Sequence, residues 1–167
     1  RMASILEDVS GRRAGSGRIL VWQRALVLAA DHPLLGVGPN CFSSAYGRYL
    51  EEGKFRGSLA PMPSEWAAYK WAVAHSAYLT VLVELGFLGF LLYLILLKQT
   101  LNNMKIYKRS EIYYSRLDQQ LILLISGTRI SFIGFLVCAI FLSQAYNIIP
   151  YLYFFISGAL CRLSNYA

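Results

Sequence analysis

The chain has 167 residues, 56% of them hydrophobic and 15% charged, with a formal net charge of +7. Its mean hydropathy of +0.45 exceeds that of a soluble domain and places it among integral membrane proteins or pieces of them. Nucleic-acid binding is set aside, because no basic helix or base-stacking motif accompanies the charge; the charge reads either as anchoring of loops at a membrane or as attraction for anionic lipid and diphosphate groups.

Residues 1–17 read as an opening loop, rich in Gly and Ser, with Arg12 and Arg13 at its middle. Residue 1 is Arg and no signal peptide precedes the first polar segment, so a piece of a longer protein is expected. Residues 18–31 have helix-forming composition and stop at Asp31-His32-Pro33, since the residue before proline avoids the α region. With Arg18 and Arg24 in it, this helix is too short and too charged to span a bilayer. A tight turn follows at Gly36, Gly38 and Pro39, and the Asn40 side chain is expected to cap the next helix. That helix sets Phe42, Tyr46 and Tyr49 on one face, either as packing or as a platform for glycan or lipid. Residues 51–63 read as a loop, and Ser64 opens a short helix over 64–75 with Trp66, Tyr69 and Trp71 as interfacial aromatics.

From Ala77 to Leu97 the chain is apolar except for Glu84, long enough to cross about 30 Å of hydrocarbon. His75 therefore sits at one membrane face. Residues 98–119 carry Lys98, Lys105, Lys108, Arg109 and Arg116, which argues for a cytoplasmic loop and an extracytoplasmic 1–76. A second span is expected from Leu121 to Leu142 and a third, shorter one from Ile148 to Leu163. The fold class is thus all-α: a polytopic membrane protein fragment of two to three transmembrane helices with a helical extracytoplasmic region. Its parts are 1–76 outside, 77–97 spanning, 98–119 inside and 120–167 with two further membrane segments.

Cys41, Cys138 and Cys161 lack metal-ligand spacing, and no phosphate loop, paired-carboxylate site or Cys/His cluster is present, so neither a metal nor a cofactor is expected. His75 is the side chain best suited to moving a proton near neutral pH, though a lone interfacial His also serves as an anchor. Arg12, Arg13, Arg18 and Arg24 can hold phosphate oxygens bidentately or be surface charges. Glu84 and Arg129 are ionisable residues inside apolar spans, at depths that differ by about 8 Å from the 1.5 Å rise per residue; they are expected to pair or share a polar cavity. A transporter or channel subunit would also show such residues.

The order SGRILVWQRAL (16–26), DHPLLGVGPNCF (31–42) and AHSAYLTVLVELGFLGFLLY (74–93) resembles the O-antigen ligase and polymerase superfamily. Members show Ser-Gly-Arg with a following Trp, then His-Pro-Leu-x-Gly-x-Gly-x-x-x-Phe, then His-Asn before an apolar helix with Glu-x-Gly-x-x-Gly. This chain departs at His75-Ser76, where Asn is more usual. The resemblance implies the C-terminal part of a bacterial inner-membrane, multi-pass glycosyltransferase. It would move a glycan from a polyprenyl diphosphate carrier to a hydroxyl of lipid A-core, with an O-antigen polymerase or a protein O-oligosaccharyltransferase as the neighbouring possibilities. It further implies His75 as base on the acceptor hydroxyl, Arg18 as a diphosphate ligand, and no metal or nucleotide sugar.

Overall fold

The computed structural model describes residues 14–55, 72–105, 116–143 and 145–166. The described residues form five helices: α1 (Ala14–Asp31), α2 (Phe42–Glu51), α3 (Ala77–Asn103), α4 (Arg116–Cys138) and α5 (Ile148–Tyr166). The all-helical expectation holds. Several boundaries differ from the sequence reading: α4 starts at Arg116, inside the expected loop, and ends at Cys138 rather than Leu142, and α5 runs on to Tyr166. Helix α1 begins at Ala14, inside the expected loop: Gly15 and Gly17 fall in its first turn, whose N–H groups have no intrahelical partner in any case. Helix α3 continues past Leu97 through the helix-forming KQTLNN to Asn103. The expected helix over 64–75 lies, up to residue 71, outside the described residues, and 72–75 is not helical.

Helices α1 and α2 cover the first half of α3. Their shared core joins Ala25 and Leu28 of α1, Phe42, Tyr46 and Tyr49 of α2, and Val83 of α3. The aromatic stripe of α2 is therefore packing. Phe55 completes it, its ring 5.3 Å from that of Tyr46 and 5.6 Å from that of Tyr49.

The second half of α3 packs on α4 and α5 through Leu97, Ile125, Phe132 and Leu160. Two bonds fix the end of α4 to the start of α3: Ala77 N–H donates to the Ala139 carbonyl at 2.9 Å, and Tyr78 Oη to the Leu136 carbonyl at 3.0 Å. Ser131 and Tyr153 share a 2.6 Å hydroxyl bond between α4 and α5. The outward faces are apolar, with Leu92, Ile130 and Phe155 all more than half exposed. Such faces suit lipid or further apolar helices and are rarely left to water. Among the described residues α3 alone is long and apolar enough to cross a membrane, while 122–138 and 148–162 are shorter apolar helices.

Helix α3 is broken. Gly86 has φ 66° and ψ −169°, far from helical values. The break frees carbonyls before it and N–H groups after it, and the 33–38 turn takes both. Val37 N–H donates to the Val83 carbonyl and Gly38 N–H to the Glu84 carbonyl, each at 2.9 Å. In return Phe87 N–H donates to the Pro33 carbonyl at 2.7 Å and Leu88 N–H to that of Leu34 at 3.4 Å. Backbone meets backbone, so there is no room for a side chain. A Cβ on Gly36 would lie 2.5 Å from the Glu84 carbonyl, and one on Gly86 would run into the Leu34 carbonyl and stand 2.6 Å from Gly36 N. Both glycines also have positive φ.

Gly86→Ala and Gly36→Ala are therefore expected to lower folded yield and melting temperature sharply. Gly127→Ala in α4, where an added Cβ meets nothing within 4 Å, is expected to be neutral or to stabilise by up to about 1 kcal/mol. Thermal unfolding of the three variants in detergent checks this; equal melting of Gly86→Ala and Gly127→Ala would contradict the splice.

Candidate functional site

Glu84 sits two residues before the break and is 2% exposed. Its Oε2 accepts from Asn40 N–H at 2.8 Å and its Oε1 from Phe42 N–H at 2.9 Å. These are N–H groups at the start of α2, where a helix has unsatisfied donors and a partial positive charge. The cap expected from Asn40 is thus supplied across 42 residues by Glu84, on the Phe42 N–H. Asn40 itself has φ 57°, and the N-cap residue is Cys41, with no side-chain capping bond.

The expected Glu84–Arg129 pair does not form. Arg129 is exposed on α4. Tyr78 near the start of α3 bonds to Leu136 near the end of α4. The side of α3 carrying Glu84 is turned to α1 and α2. Burial, together with its hydrogen bond to Glu84 and that group's charge, holds the Tyr146 phenol well above its ordinary range.

His75 ends the segment that leads into α3, and both of its neighbours are tied down. Trp22 Nε1–H donates to the Ala74 carbonyl at 2.7 Å. Ser76 is the N-cap of α3: its Oγ accepts a long 3.5 Å bond from Leu79 N–H, and its carbonyl accepts from Thr80 Oγ1 at 2.8 Å. Ser at this position therefore starts the helix, as Ser and Asn both do well. Between these anchors His75 adopts φ 49°, a left-handed conformation uncommon outside glycine, and is exposed. Backbone strain of this kind concentrates where a side chain must be presented in one direction.

Arg18 and Arg24 part company. Six residues along a helix is a rotation of about 120°. Arg18 is exposed, one turn before the Trp22 that holds Ala74, so it lies on the side of α1 that meets the His75 segment. Arg24 points into the core. It is 3% exposed, donates from Nη1 to Tyr46 Oη at 2.9 Å, and lies with its guanidinium 5.1 Å from the centre of the Phe55 ring. The diphosphate ligand expected at Arg24 would need an accessible guanidinium, whereas this one is buried and bonded to Tyr46.

Between α2, the 72–76 segment, α3 and the turn after α4 lies a cleft of ≈ 430 Å³. Asn40, Ser43 and Thr80 line one side, Ser143, Tyr146 and Asn147 the other, with Glu84 between them. Ala74, the neighbour of His75, is also in its wall. The turn is held in place by Trp22, whose ring stacks on Phe141 with centroids 6.0 Å apart. Sequence reasoning missed this side of the site, because Ser143, Tyr146 and Asn147 form no motif with anything before them.

A protein-family model described as O-antigen ligase matches residues 2–94, which include Arg18, His75 and Glu84 and exclude Arg129 and Tyr146. No curated protein and no solved structure matches the chain.

Because both oxygens of Glu84 accept backbone N–H bonds, Glu84→Gln turns an amide NH₂ toward a donor. It is expected to destabilise the fold by about 1–3 kcal/mol, the range for a buried donor left unpaired. Arg129→Gln added to it is expected to give no recovery. Chemical unfolding of the single and double variants measures the coupling, and partial rescue by the second change would restore the ion pair.

Proposed function

The chain belongs to the O-antigen ligase family, and from that premise we propose that it carries the transfer site of a membrane glycosyltransferase. In this reading a glycan linked to a polyprenyl diphosphate is the donor and a hydroxyl of lipid A-core the acceptor. The observation that carries it is His75: an exposed imidazole on a left-handed backbone, anchored on either side by Trp22 and by the cap of α3.

The proposed step is a substitution at the anomeric carbon. His75 takes the proton of the acceptor hydroxyl, whose oxygen attacks that carbon. The bond to the diphosphate breaks, and polyprenyl diphosphate leaves with the electron pair. Arg18 meets the charge gathering on the leaving oxygens, since a planar guanidinium matches two phosphate oxygens at once. Support for Arg18 is its exposure and its place one turn from Trp22. Binding the diphosphate directly by Arg gives electrostatic stabilisation where charge develops. An O-antigen polymerase or a protein O-oligosaccharyltransferase would use the same step on another hydroxyl. The site would lie at the outer face of a bacterial inner membrane crossed more than once, with α3 as one span and residues 1–76 outside.

In the intact protein, His75→Ala is expected to reduce glycan transfer by roughly 100- to 10,000-fold, the usual contribution of a general base, while insertion persists. Arg18→Lys is expected to lose much of the activity despite keeping its charge. Transfer in membranes supplied with lipid-linked glycan measures both, and wild-type rates in His75→Ala would end the assignment. For the topology, a cysteine placed at Ser58 is expected to react with an impermeant reagent on intact cells and one at Asn103 to be protected. The opposite pattern would invert the protein.

A further inference from the structure

The cleft beside His75 is chemically unlike the Arg18 side. Among the described residues that line it there is no Lys or Arg, and the charged group it contains is the carboxyl of Glu84. A diphosphate would meet a like charge there. What the walls offer is hydroxyls and amides, from Ser43, Thr80, Ser143, Tyr146 and Asn147, with Phe42 and Val73 as apolar surface. Its ≈ 430 Å³ falls within the ~300–1,000 Å³ of small-molecule sites. A pyranose ring, with hydroxyls at its edge and C–H groups on its face, matches that mixture.

Tyr146 is the most specific of these groups. Tyr146 and Glu84 both line the cleft, and the two carboxyl oxygens of Glu84 are engaged by the Asn40 and Phe42 N–H groups. The Tyr146 hydroxyl can both donate to and accept from a sugar hydroxyl. Tyr146 remains partly exposed, and it lies beyond the 2–94 matched by the family model.

We propose that this cleft is a subsite for a neutral pyranose, in which the Tyr146 hydroxyl hydrogen-bonds a sugar hydroxyl and positions the ring against the 72–76 segment that carries His75. The proposal rests on the transferase reading for its place in a reaction, but not for saccharide binding itself. The ring belongs either to the acceptor or to the first sugar of the donor. Tyr146 is a positioning residue and takes no proton in transfer.

The test uses the intact protein in a detergent without a sugar headgroup. Methyl α-hexopyranosides of gluco, galacto and manno configuration are titrated by saturation-transfer NMR. At least one is expected to bind the wild type, and Tyr146→Phe, which keeps the ring and removes the hydroxyl, is expected to weaken it by about tenfold. Ser143→Ala, at an exposed position, is the second variant if Tyr146→Phe melts early, and is expected to weaken binding less. In the transfer assay Tyr146→Phe is expected to raise KM for one substrate with kcat nearly unchanged, and the substrate affected identifies the source of the ring. Binding of none of the glycosides, or unchanged binding by both variants, overturns the subsite. His75→Ala separates the two readings: it is expected to keep glycoside binding and lose transfer. Transfer retained with binding intact removes the base and leaves the subsite. Transfer lost with Tyr146→Phe and Ser143→Ala both binding normally does the reverse.

Discussion

A helix interrupted within an apolar stretch exposes carbonyls on one side of the break and N–H groups on the other. Water can satisfy them at a surface, but hydrocarbon cannot, and each unmet group there costs several kcal/mol. At Gly86 the 33–38 turn supplies both kinds of partner, with carbonyls of Pro33 and Leu34 for the N–H groups and N–H groups of Val37 and Gly38 for the carbonyls. The exchange demands that two backbones touch. It therefore demands glycine at 36 and 86, where a Cβ would collide with the opposite chain. The rest of the site depends on this contact. It sets the 33–38 turn against α3, brings the start of α2 to Glu84, and so shapes one wall of the cleft.

Seen this way, the three sequence stretches that resemble the family form one connected set of contacts. The Trp22 of the first holds Ala74, beside the His75 of the third. The Gly36-Val37-Gly38 of the second closes on the Glu84 and Gly86 of the third. The middle stretch closes on the broken helix and lends Asn40 and Phe42 to the wall of the cleft. Its work is to complete a broken helix, so its residues are governed by backbone fit more than by chemistry.

Much of this was readable from the sequence and part was not. The apolar stretch from Ala77 marked α3 by length alone, and Phe42, Tyr46 and Tyr49 fell on one face by period. The break did not show, since a glycine in an apolar helix is tolerated and gives no local sign of a partner. That partner lies about fifty residues earlier, beyond the reach of any periodicity. The burial of Arg24 was missed for a related reason. A charged residue on a short helix is usually solvated, but here Tyr46 and Phe55 enclose the guanidinium, and their approach is a tertiary fact. Glu84 was correctly singled out as an ionisable group that needs a partner. Its partner turned out to be a pair of backbone N–H groups, which have no sequence signature at all.

The choice of partner matters for the electrostatics of the proposed reaction. Had Glu84 met Arg129, charge would have been neutralised in the interior of α3 and α4, away from the site. Capped onto α2, it places a carboxyl in the floor of the cleft, while Arg18 stands exposed on α1 along the face that reaches the His75 segment. A substrate that joins an anionic diphosphate to a neutral sugar then has a direction in which to lie. In the proposed reaction its phosphates would be drawn toward the Arg18 guanidinium and its sugar hydroxyls toward the hydroxyls and amides of the cleft. The bond to be broken would lie between those two parts, and the neighbour of His75, Ala74, is in the cleft wall. A buried carboxyl of this kind adds little raw affinity. In the proposed reaction its contribution would be to the orientation of the reacting bond, which is where a positioned enzyme gains most over solution.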